Sequence, residues 1–446
     1  MKQKASLTDS IREGLLRRAE TVRLAKVSAT RREPSATGTD FSTLPGYDEL
    51  RLYQKIGDKL GIGNPYFRLH EGRAGAETQI DGRTLINFAS YDYLGLNGHP
   101  EILAAAHAAI DLYGVSSSAS RCVAGERPVH RRLERAIADH YGVDDSLVLV
   151  SGYATNVSVI GQLVGQNDLI VLDSVIHNSA VMGSVLSGAN RRSFPHNDLD
   201  ALDTLLGETR HRFERVLIVV EGHYSMDGDY PDLPKLVAIK KRHGAWLMVD
   251  EAHAIGVLGA HGGGIAEHCG VNPRDIDIWM GTLSKTLAAC GGYIAGSTEL
   301  IHYLKNFAGA FAYSVAMPPT LAAAAEKALE IMHREPERVA RLQQNAALFA
   351  QLAKARGLDL GTSAGTAIAP IVVGASLPAV MLSEELFARG INVMPVLHPA
   401  VPAKQARLRF FLTAMHSERD MTRALDETAD ALPDIARRVK DLGVPS

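Results

Sequence analysis

Short apolar runs alternate with longer helical stretches across residues 100–335, and this alternation constrains the fold more than any other feature of the chain. The runs are rich in Val, Ile and Leu and have the length of strands buried on both faces. They occupy residues 147–150, 169–172, 215–220, 246–249 and 276–280. Because strands that alternate with helices form largely parallel sheets, the pattern predicts an α/β domain.

Polar or glycine-bearing turns follow directly after most of these runs. The turns are Ser151-Gly152-Tyr153, Asp173-Ser174, Glu221-Gly222-His223 and Asp250-Glu251-Ala252-His253. Ligands of open α/β sheets bind at the carboxyl ends of the strands. We therefore expect side chains that are far apart in the sequence to meet at one edge of the sheet.

The rest of the chain divides into three further segments. Residues 1–45 are interpreted as an amphipathic arm and linker, because apolar residues recur at helical spacing among Arg and Lys. The arm either packs on the body or on a second subunit, or offers a docking surface to a partner such as a carrier domain. Residues 46–99, with a hairpin turn at 80–83, and residues 336–446 are predicted to form a smaller α+β domain beside the large domain.

Composition narrows the functional class. With 446 residues, of which 46% are hydrophobic, the chain can bury more than one core, and its net charge of −3 gives no electrostatic footprint for nucleic acid. No apolar run is long enough to span a membrane and the start lacks the apolar core of a signal peptide, so we expect a cytoplasmic protein. Cys122, Cys269 and Cys290 lack paired or metal-type spacing, which predicts small buried residues, no disulfide framework and no metal.

A lysine and an acid point to one particular cofactor. Lys285 ends the hydroxyl-rich, glycine-flanked run Gly281-Thr282-Leu283-Ser284-Lys285, and Asp250 ends an apolar strand. A lysine amine can hold an aldehyde as a Schiff base, and a buried acid can keep a pyridine nitrogen protonated. Pyridoxal 5′-phosphate (PLP) requires both groups, so the pair predicts a PLP site. A surface lysine and a structural ion pair are the ordinary alternatives for the two residues taken singly.

Other side chains fit the same cofactor. Thr282 and Ser284 offer hydroxyls to a phosphate, and Ser151-Gly152-Tyr153 lies where a strand passes into a helix, whose exposed amides suit a dianion. His253 can donate to the phenolate oxygen of PLP, and His177 can stack on the pyridine face. Taken singly, each histidine is also explained as a helix-start or core residue.

Six motifs together carry a family resemblance. They are Asn87-Phe88-Ala89-Ser90-Tyr91-Asp92-Tyr93-Leu94-Gly95-Leu96, Ala119-Ser120-Arg121, Glu221-Gly222-His223-Tyr224-Ser225-Met226-Asp227-Gly228-Asp229, Asp250-Glu251-Ala252-His253, Gly281-Thr282-Leu283-Ser284-Lys285 and Arg407-Leu408-Arg409. From residue 64 to residue 416, about four-fifths of its length, the chain resembles the α-oxoamine synthases, a PLP-dependent family. The motifs are highly specific when they occur together.

The resemblance implies a type I PLP-dependent transferase fold, with a large mixed-sheet domain and a smaller α+β domain, and a homodimer whose active sites lie at the subunit interface. It implies a decarboxylative Claisen-type condensation of glycine, alanine or serine with an acyl thioester, which gives an α-aminoketone, CO₂ and a free thiol. Fold does not fix the reaction, so a PLP-dependent aminotransferase or aldolase is the alternative enzyme. A PLP-binding regulator is the alternative outside enzymes.

Sequence and resemblance together place the candidate residues in three groups. The catalytic group is Lys285, His177, Asp250 and His253. The cofactor group adds Ser151, Gly152, Tyr153, Ser225, Thr282, Ser284 and Ser314, of which Ser314 matches residues that reach the phosphate from the neighbouring subunit. The substrate group is Arg409, Tyr91 and Ser120, with Arg409 matching the arginine that binds the amino acid carboxylate.

The chain departs from the family pattern at three places. Val315 stands where the family often has a second hydroxyl residue, Tyr91 replaces an asparagine of several members, and residues 397–400 replace a common Arg-Pro-Pro-Thr run. The amino acid and the acyl chain therefore stay open. Residues 1–45 and 63–68 are most similar to members that work with polyketide synthases, so an acyl carrier protein thioester is a candidate donor beside acyl-CoA.

Overall fold

The computed structural model describes residues 39–44 and 46–442. Contacts within the chain separate Met1–Gly63 from Asn64–Ser446. In the first unit a 3₁₀ turn at Phe41–Thr43 precedes helix α1, Tyr47–Leu60. The amphipathic pattern at the start of the arm lies outside the described residues.

The second unit begins with the predicted hairpin. Strands β1 (Glu77–Ile80) and β2 (Arg83–Asn87) pair antiparallel. The two turn residues, Asp81 and Gly82, have φ values of 51° and 70°. Two successive left-handed residues are typical of the tight two-residue turn that matches the twist of the strands. The Asp-Gly signal therefore correctly predicts the hairpin.

Seven strands form the central sheet. They are β3 (Asp145–Leu149), β4 (Leu169–Asp173), β5 (Asn190–Phe194), β6 (Val216–Glu221), β7 (Trp246–Asp250), β8 (Ile278–Thr282) and β9 (Gly292–Gly296). The order across the sheet is β3-β9-β8-β7-β6-β4-β5. Strand β9 runs antiparallel to both of its neighbours and the other pairs are parallel, so the predicted large mixed sheet is confirmed.

All five apolar runs singled out in the sequence are strands of this sheet. Every residue of β4, β6 and β8 is buried, which explains why these strands show continuous apolar sequence in place of an alternating pattern. The sequence pattern misses β5 and β9. The first is an edge strand with four exposed residues, and the second begins and ends with glycine.

The strands of the C-terminal part belong to two smaller sheets. Strands β10 (Ile368–Gly374), β11 (Ile391–Asn392), β12 (Met394–Val396) and β13 (Ala406–Phe411) follow the central sheet in sequence. Strand β13 lies between β10 and β12, and β11 pairs parallel with β2. The hairpin of the N-terminal part thus joins a strand from the C-terminal part. The domain bounds predicted at residues 45, 99 and 335 stay predictions.

Helices cover the sheets. They are α2 (Pro100–Tyr113), α3 (Pro128–Tyr141), α4 (Gly152–Leu163), α5 (Asn178–Leu186), α6 (Leu199–Thr209), α7 (Leu233–His243), α8 (Ile265–Cys269), α9 (Thr298–Phe307), α10 (Gly309–Ala312), α11 (Pro319–Arg334), α12 (Glu337–Ala355), α13 (Ser376–Ala388) and α14 (Glu418–Asp441). None of the helices in the described residues is long and apolar enough to cross a membrane.

The prediction that the three cysteines are buried is wrong. Cys122 and Cys290 are exposed, and Cys269 is half-buried. Cys122 lies in a short π-helical turn, Arg121–Gly125, whose buried positions are Arg121 and Gly125. Spacing alone gave no information about which face of such a turn is covered.

Candidate active site

Four neighbouring strands bring the predicted residues to one edge of the central sheet. Asp173, Glu221, Asp250 and Thr282 are the last residues of β4, β6, β7 and β8. Glu221 lies directly opposite Asp250 in the parallel register. The carboxyl edge of the sheet therefore carries several polar side chains, as expected for a ligand site of an α/β fold.

Asp250 is a buried carboxylate that receives only neutral hydrogen bonds. It is 5% exposed. Asn156 Nδ2 donates to its Oδ2 at 2.8 Å, and the backbone N–H of Ala252 donates to its Oδ1 at 2.9 Å. No Lys, Arg or His of the described residues forms an ion pair with it. Because a buried anion without a cation is costly, this edge is suited to a positively charged ligand group.

Lys285 follows β8 by three residues, in the turn that was predicted to hold the cofactor. Burial lowers the pKa of Lys285 to about 8, although the negative charges of Asp250 and Glu221 act in the opposite direction. Its Nζ lies 5.9 Å from the centre of the Tyr91 ring. The amine is thus closer to its neutral, nucleophilic form at physiological pH than a lysine in water.

A chain of hydrogen bonds links His177 to Asp250. The exposed His177 stands immediately before α5, with its Nδ1 2.7 Å from Ser179 Oγ. Ser179 Oγ in turn accepts from Asn156 Nδ2 at 2.9 Å, and the same amide reaches Asp250. The Oδ1 atom of Asn156 is buried without a partner among the described residues. The hydrogen bond to Ser179 therefore fixes the orientation of the His177 ring, and the ring is exposed.

His253 is a neutral, buried histidine whose Nε2 has no hydrogen-bond partner among the described residues. Burial lowers its pKa well below the usual value, and the positive charge of Lys285 acts in the same direction. The hydroxyl of Tyr93 lies 2.8 Å from Nδ1. Burial raises the pKa of Tyr93 well above its usual value, so we take Tyr93 as the donor. The ring hydrogen then resides on Nε2, which can donate to a ligand.

Arg409 is a half-buried guanidinium without a carboxylate partner in the described part of the chain. Its Nη1 donates to the carbonyl of Ser225 at 2.9 Å, and its Nε is buried without a partner. The guanidinium carbon lies 4.6 Å from the centre of the Phe411 ring. The neighbouring Arg407, in contrast, is paired with Asp227. Arg409 therefore retains donors for an external anion.

Two segments form the proposed phosphate end of the site. Ser151 caps α4, its Oγ accepting from the backbone N–H of Ala154 at 3.4 Å. A Cβ at Gly152 would lie 2.9 Å from Thr282 Oγ1, so a glycine is needed where the helix start approaches β8. The amides at the start of this helix and the Thr282 hydroxyl hence lie close together, in the geometry of an anion site.

The remaining predicted phosphate ligands border this place. The exposed Ser284 donates its backbone N–H to Thr282 Oγ1 at 3.2 Å. Tyr153 is 49% exposed, and its hydroxyl donates to Asn178 Oδ1 at 3.1 Å. Its ring stands edge-on to His177, with 6.4 Å between the ring centres. Tyr153 thus connects the helix start with the open histidine.

The segment from 221 to 229, here called the connector loop, forms hydrogen bonds with His177, His253 and Arg409. Glu221 accepts from the backbone N–H groups of His177 at 2.8 Å and Ser225 at 3.3 Å. His223 Nδ1 donates to the carbonyl of His253 at 2.9 Å. Burial and the charge of Asp250 raise the pKa of Glu221 to about 8. The connector loop therefore links His177 and His253 to Ser225, whose carbonyl accepts from Arg409.

Tyr91 lies beside His253, whereas Ser120 and Ser314 form no hydrogen bond with the other candidate residues in the described part of the chain. The Tyr91 ring stands edge-on to His253, with 5.9 Å between the ring centres. The carbonyl of Ser120 accepts from the N–H groups of Val123 and Gly125. No hydrogen bond in the described residues links Ser314 to Lys285.

Comparison with known proteins decides the family. The model of class I and II aminotransferases matches residues 83–427. The 8-amino-7-oxononanoate synthases of Pseudomonas putida and Stutzerimonas stutzeri are 41% and 42% identical over 81% and 80% of this chain, which is 92% and 90% of theirs. The chain belongs to the α-oxoamine synthases of this family.

Solved structures agree with this membership. The serine palmitoyltransferase of Sphingomonas wittichii has a TM-score of 0.84 at 30% identity and covers 89% of this chain and 99% of its own. That of S. paucimobilis, solved with bound PLP and myriocin, has a TM-score of 0.85 at 28% identity over 89% and 99% of the two chains. This α-oxoamine synthase is a PLP-dependent acyltransferase with the type I fold. Its reaction class is the predicted decarboxylative condensation of an amino acid with an acyl thioester.

The residues present fit PLP. Asp250 is a buried acid that forms no ion pair in the described part of the chain, and Lys285 is an amine whose pKa is lowered to about 8. His177 offers an exposed ring face, and Gly152, which has no side chain, lies beside the Thr282 hydroxyl. These four features match the ring nitrogen, aldehyde, ring face and phosphate of the cofactor.

Sequence reasoning did not assign roles to Asn156, Glu221 and Tyr93. Asn156 follows Gly152 by one helical turn, so its position on the same helix face was available from the spacing. Its partners, Ser179 and Asp250, are distant in sequence and were not. Glu221 and Tyr93 lie within the motifs quoted for the resemblance, but their partners are likewise remote.

Proposed function

We propose that this α-oxoamine synthase condenses L-alanine with an acyl thioester, and that its site residues act as follows. PLP supplies an aldehyde for the amino acid and an electron-accepting ring when it is bound. Lys285 would hold that aldehyde and, as a free amine, would move the proton at the α-carbon of the amino acid. The lowered pKa, about 8, supports this role because a lysine accepts a proton only in its neutral amine form.

Three side chains orient the reacting groups. Asp250 holds the protonated ring nitrogen and is itself held by Asn156. His177 stacks on the ring, and His253 donates from Nε2 to the phenolate oxygen. Because His253 stays neutral, it donates one hydrogen bond without adding charge. Ser151, Gly152, Tyr153, Thr282 and Ser284 bind the phosphate, and Ser225 borders the cofactor.

Arg409 binds the carboxylate of the amino acid, with Tyr91 beside it. Support comes from the absence of an ion pair on Arg409 among the described residues and from its unpartnered Nε. A guanidinium binds a carboxylate through two parallel hydrogen bonds, which fixes the α-carbon in one orientation. One observation carries the proposal: the guanidinium of Arg409, the amine of Lys285 and the carboxylate of Asp250 form no ion pair among the described residues.

Alanine is the first candidate among the three amino acids. In 8-amino-7-oxononanoate the amine-bearing carbon carries a single methyl group, which is what alanine leaves after loss of its carboxyl. The relatives named for this product are 41% and 42% identical to the chain, whereas the serine palmitoyltransferases are 30% and 28% identical. Discrimination among glycine, alanine and serine rests on one small group, worth about 1–3 kcal/mol.

The donor is an acyl thioester, either acyl-CoA or a carrier protein. Residues 1–45 contain nine Lys or Arg and five Asp or Glu, although the whole chain has a net charge of −3. A basic arm favours an acidic protein surface, so we propose an acyl carrier protein as the partner of the arm. Residues 46–99 and 336–446 are proposed to form the smaller α+β domain.

We also propose a homodimer whose partner completes each site. Two segments that carry Ser120 and Ser314 are joined by a hydrogen bond from the N–H of Ala316 to the carbonyl of Ala119 at 3.0 Å. Large apolar side chains are exposed on and beside them, namely Leu112, Val115, Val123, Tyr313 and Val315. Exposed apolar surface of this kind is typical of a protein interface. A dimer would bring Ser314 to the phosphate of the neighbouring site.

Turnover tests the proposed reaction. The PLP-loaded protein is incubated with alanine, glycine or serine, each with acyl-CoA and with acyl carrier protein thioesters, and released thiol and CO₂ are measured. We expect equal amounts of thiol and CO₂ only when both substrates are present, with alanine giving the highest kcat/KM. In a parallel incubation with an added 2-keto acid, consumption of that acid without thiol release would instead identify an aminotransferase.

A further inference from the structure

His196 is held between two carboxylates, outside the residues assigned above. Its Nδ1 lies 3.0 Å from Asp173 Oδ1, and its Nε2 lies 3.0 Å from Asp229 Oδ2. Both carboxylates are buried. Burial opposes a charge on the ring, but the hydrogen bonds to Asp173 and Asp229 outweigh it and raise the pKa of His196 to about 10. With an acceptor at each ring nitrogen, the imidazole is a cation that donates in both directions.

One end of this bridge is the turn that carries His177. Asp173 is the last residue of β4, and its Oδ1 accepts from the backbone N–H of Val175 at 2.9 Å. Its carbonyl accepts from the N–H of Ile176 at 3.2 Å. The carboxylate of Asp173 therefore fixes the turn that leads directly to His177.

The other end of the bridge is the connector loop, which contains Ser225, the residue whose carbonyl accepts from Arg409. The carbonyl of Asp229 accepts from the N–H of Tyr224 at 2.9 Å. The His196 ring stands edge-on to the Tyr224 ring, with 4.5 Å between the ring centres. The next residue, Ser225, presents the carbonyl that accepts from Arg409. A shift of the loop would thus move Arg409 directly.

We propose that His196 is a positioning residue: as a cation that bridges Asp173 and Asp229, it fixes the connector loop and, through Ser225, sets the place of the Arg409 guanidinium relative to His177. This inference rests on the proposed role of Arg409 as the carboxylate-binding residue. Without the cation, two buried carboxylates face each other unpaired, and their repulsion displaces the loop. We expect the effect to be selective, because in the described residues His196 forms no hydrogen bond with Lys285 or Asp250.

Binding of two ligands that differ only in a carboxylate tests the proposal. The PLP-loaded protein is titrated with L-alanine and with ethylamine, which is alanine without its carboxyl group, and the change in cofactor absorbance gives each Kd. The His196→Gln variant should bind alanine about tenfold more weakly, as expected when a charged hydrogen bond is impaired, and bind ethylamine unchanged. The Asp229→Asn variant should show the same selective loss.

A matched variant and a second measurement separate positioning from general destabilisation. His243 also faces a carboxylate, with its Nε2 2.6 Å from Asp203 Oδ1 at the end of α7, so His243→Gln should change neither Kd. Amide hydrogen exchange at residues 224 and 228 should be faster in His196→Gln before any amino acid is added, because the N–H groups there bond within the loop.

Two results would overturn the role of His196. One is an unchanged alanine Kd in both variants, and the other is a parallel weakening of alanine and ethylamine. Failure of the wild-type protein itself to bind alanine would instead remove the proposed function. Asp229→Asn retains the pair between His196 and Asp173, which keeps the test open if His196→Gln does not fold.

Discussion

The amine of Lys285 loses its proton at a lower pH than the amine of a lysine in water. Burial lowers the pKa of Lys285 from 10.5 to about 8, and the pKa stays there although Asp250 and Glu221 favour the charged form. Only the neutral amine attacks an aldehyde. We therefore predict that capture of PLP by the cofactor-free protein accelerates as pH rises to about 8 and levels off above it.

Absorbance after rapid mixing with PLP measures this rate at each pH. Free Nα-acetyl-lysine is the reference, and its rate should continue to rise towards pH 10.5, the ordinary lysine value. The shift of the protein curve to lower pH follows from the sign of desolvation, which penalises the ammonium form. A capture rate that keeps rising above pH 9 would show that Lys285 is not desolvated in solution.

Arg409 is expected to act on substrate affinity more than on the chemical step. Loss of a charged hydrogen bond to a carboxylate costs about 1.5–3 kcal/mol, so Arg409→Ala should raise KM for the amino acid roughly 10- to 100-fold. The exposed Arg437, which pairs with Asp434 on α14, is a matched control, and Arg437→Ala should leave KM unchanged. An unaltered KM in Arg409→Ala would assign the carboxylate to another residue.

At this scale the sequence predicts residues that stand in local motifs, and misses those defined by remote partners. Lys285 and Asp250 each follow a recognisable strand, so their places could be predicted. Asn156 and His196 matter because of Asp250, Asp173 and Asp229, which reach them only in the folded chain. Nothing within a few residues of either position marks that contact.

At the scale of elements, local signals were reliable where burial or turn geometry leaves few options. The fully buried β4, β6 and β8 were predicted from their apolar runs. Strand β9 was missed because its pairing with β3 and β8 comes from the sheet, while its glycines lower its own strand propensity. Strand β5 was missed for another reason, because four of its five residues are polar and exposed and therefore form no apolar run.

The β1–β2 turn provides a prediction of stability. Gly82 has a φ of 70° and open space where a side-chain methyl group would lie, so an alanine there meets backbone strain alone. Gly82→Ala should lower the free energy of unfolding by about 1–2 kcal/mol. Gly207, inside α6, also has open space but no positive φ, and Gly207→Ala should stabilise by about 0.8–1 kcal/mol. Urea unfolding measures both, and equal shifts in the same direction would contradict the assigned turn.

At the scale of the whole molecule, the fold and family could be predicted because several motifs occur together in order along one chain. The domain bounds, the arm and the second subunit could not be fixed in the same way. Local motifs do not mark where one domain ends, and the proposed dimer interface depends on exposed side chains such as Val123 and Tyr313. Sedimentation velocity should show a dimer, and Val123→Glu with Tyr313→Glu should shift it towards monomer and weaken PLP retention.

The central claim is that the amine of Lys285 holds the aldehyde of PLP at the carboxyl edge of the sheet. Borohydride reduction of the PLP-loaded protein, followed by proteolysis and mass spectrometry, tests it most directly, because reduction makes the bond permanent. The account predicts one pyridoxyl-modified peptide, which contains Lys285 and disappears in Lys285→Ala. A modified peptide that carries another lysine, with Lys285 unmodified, would contradict it.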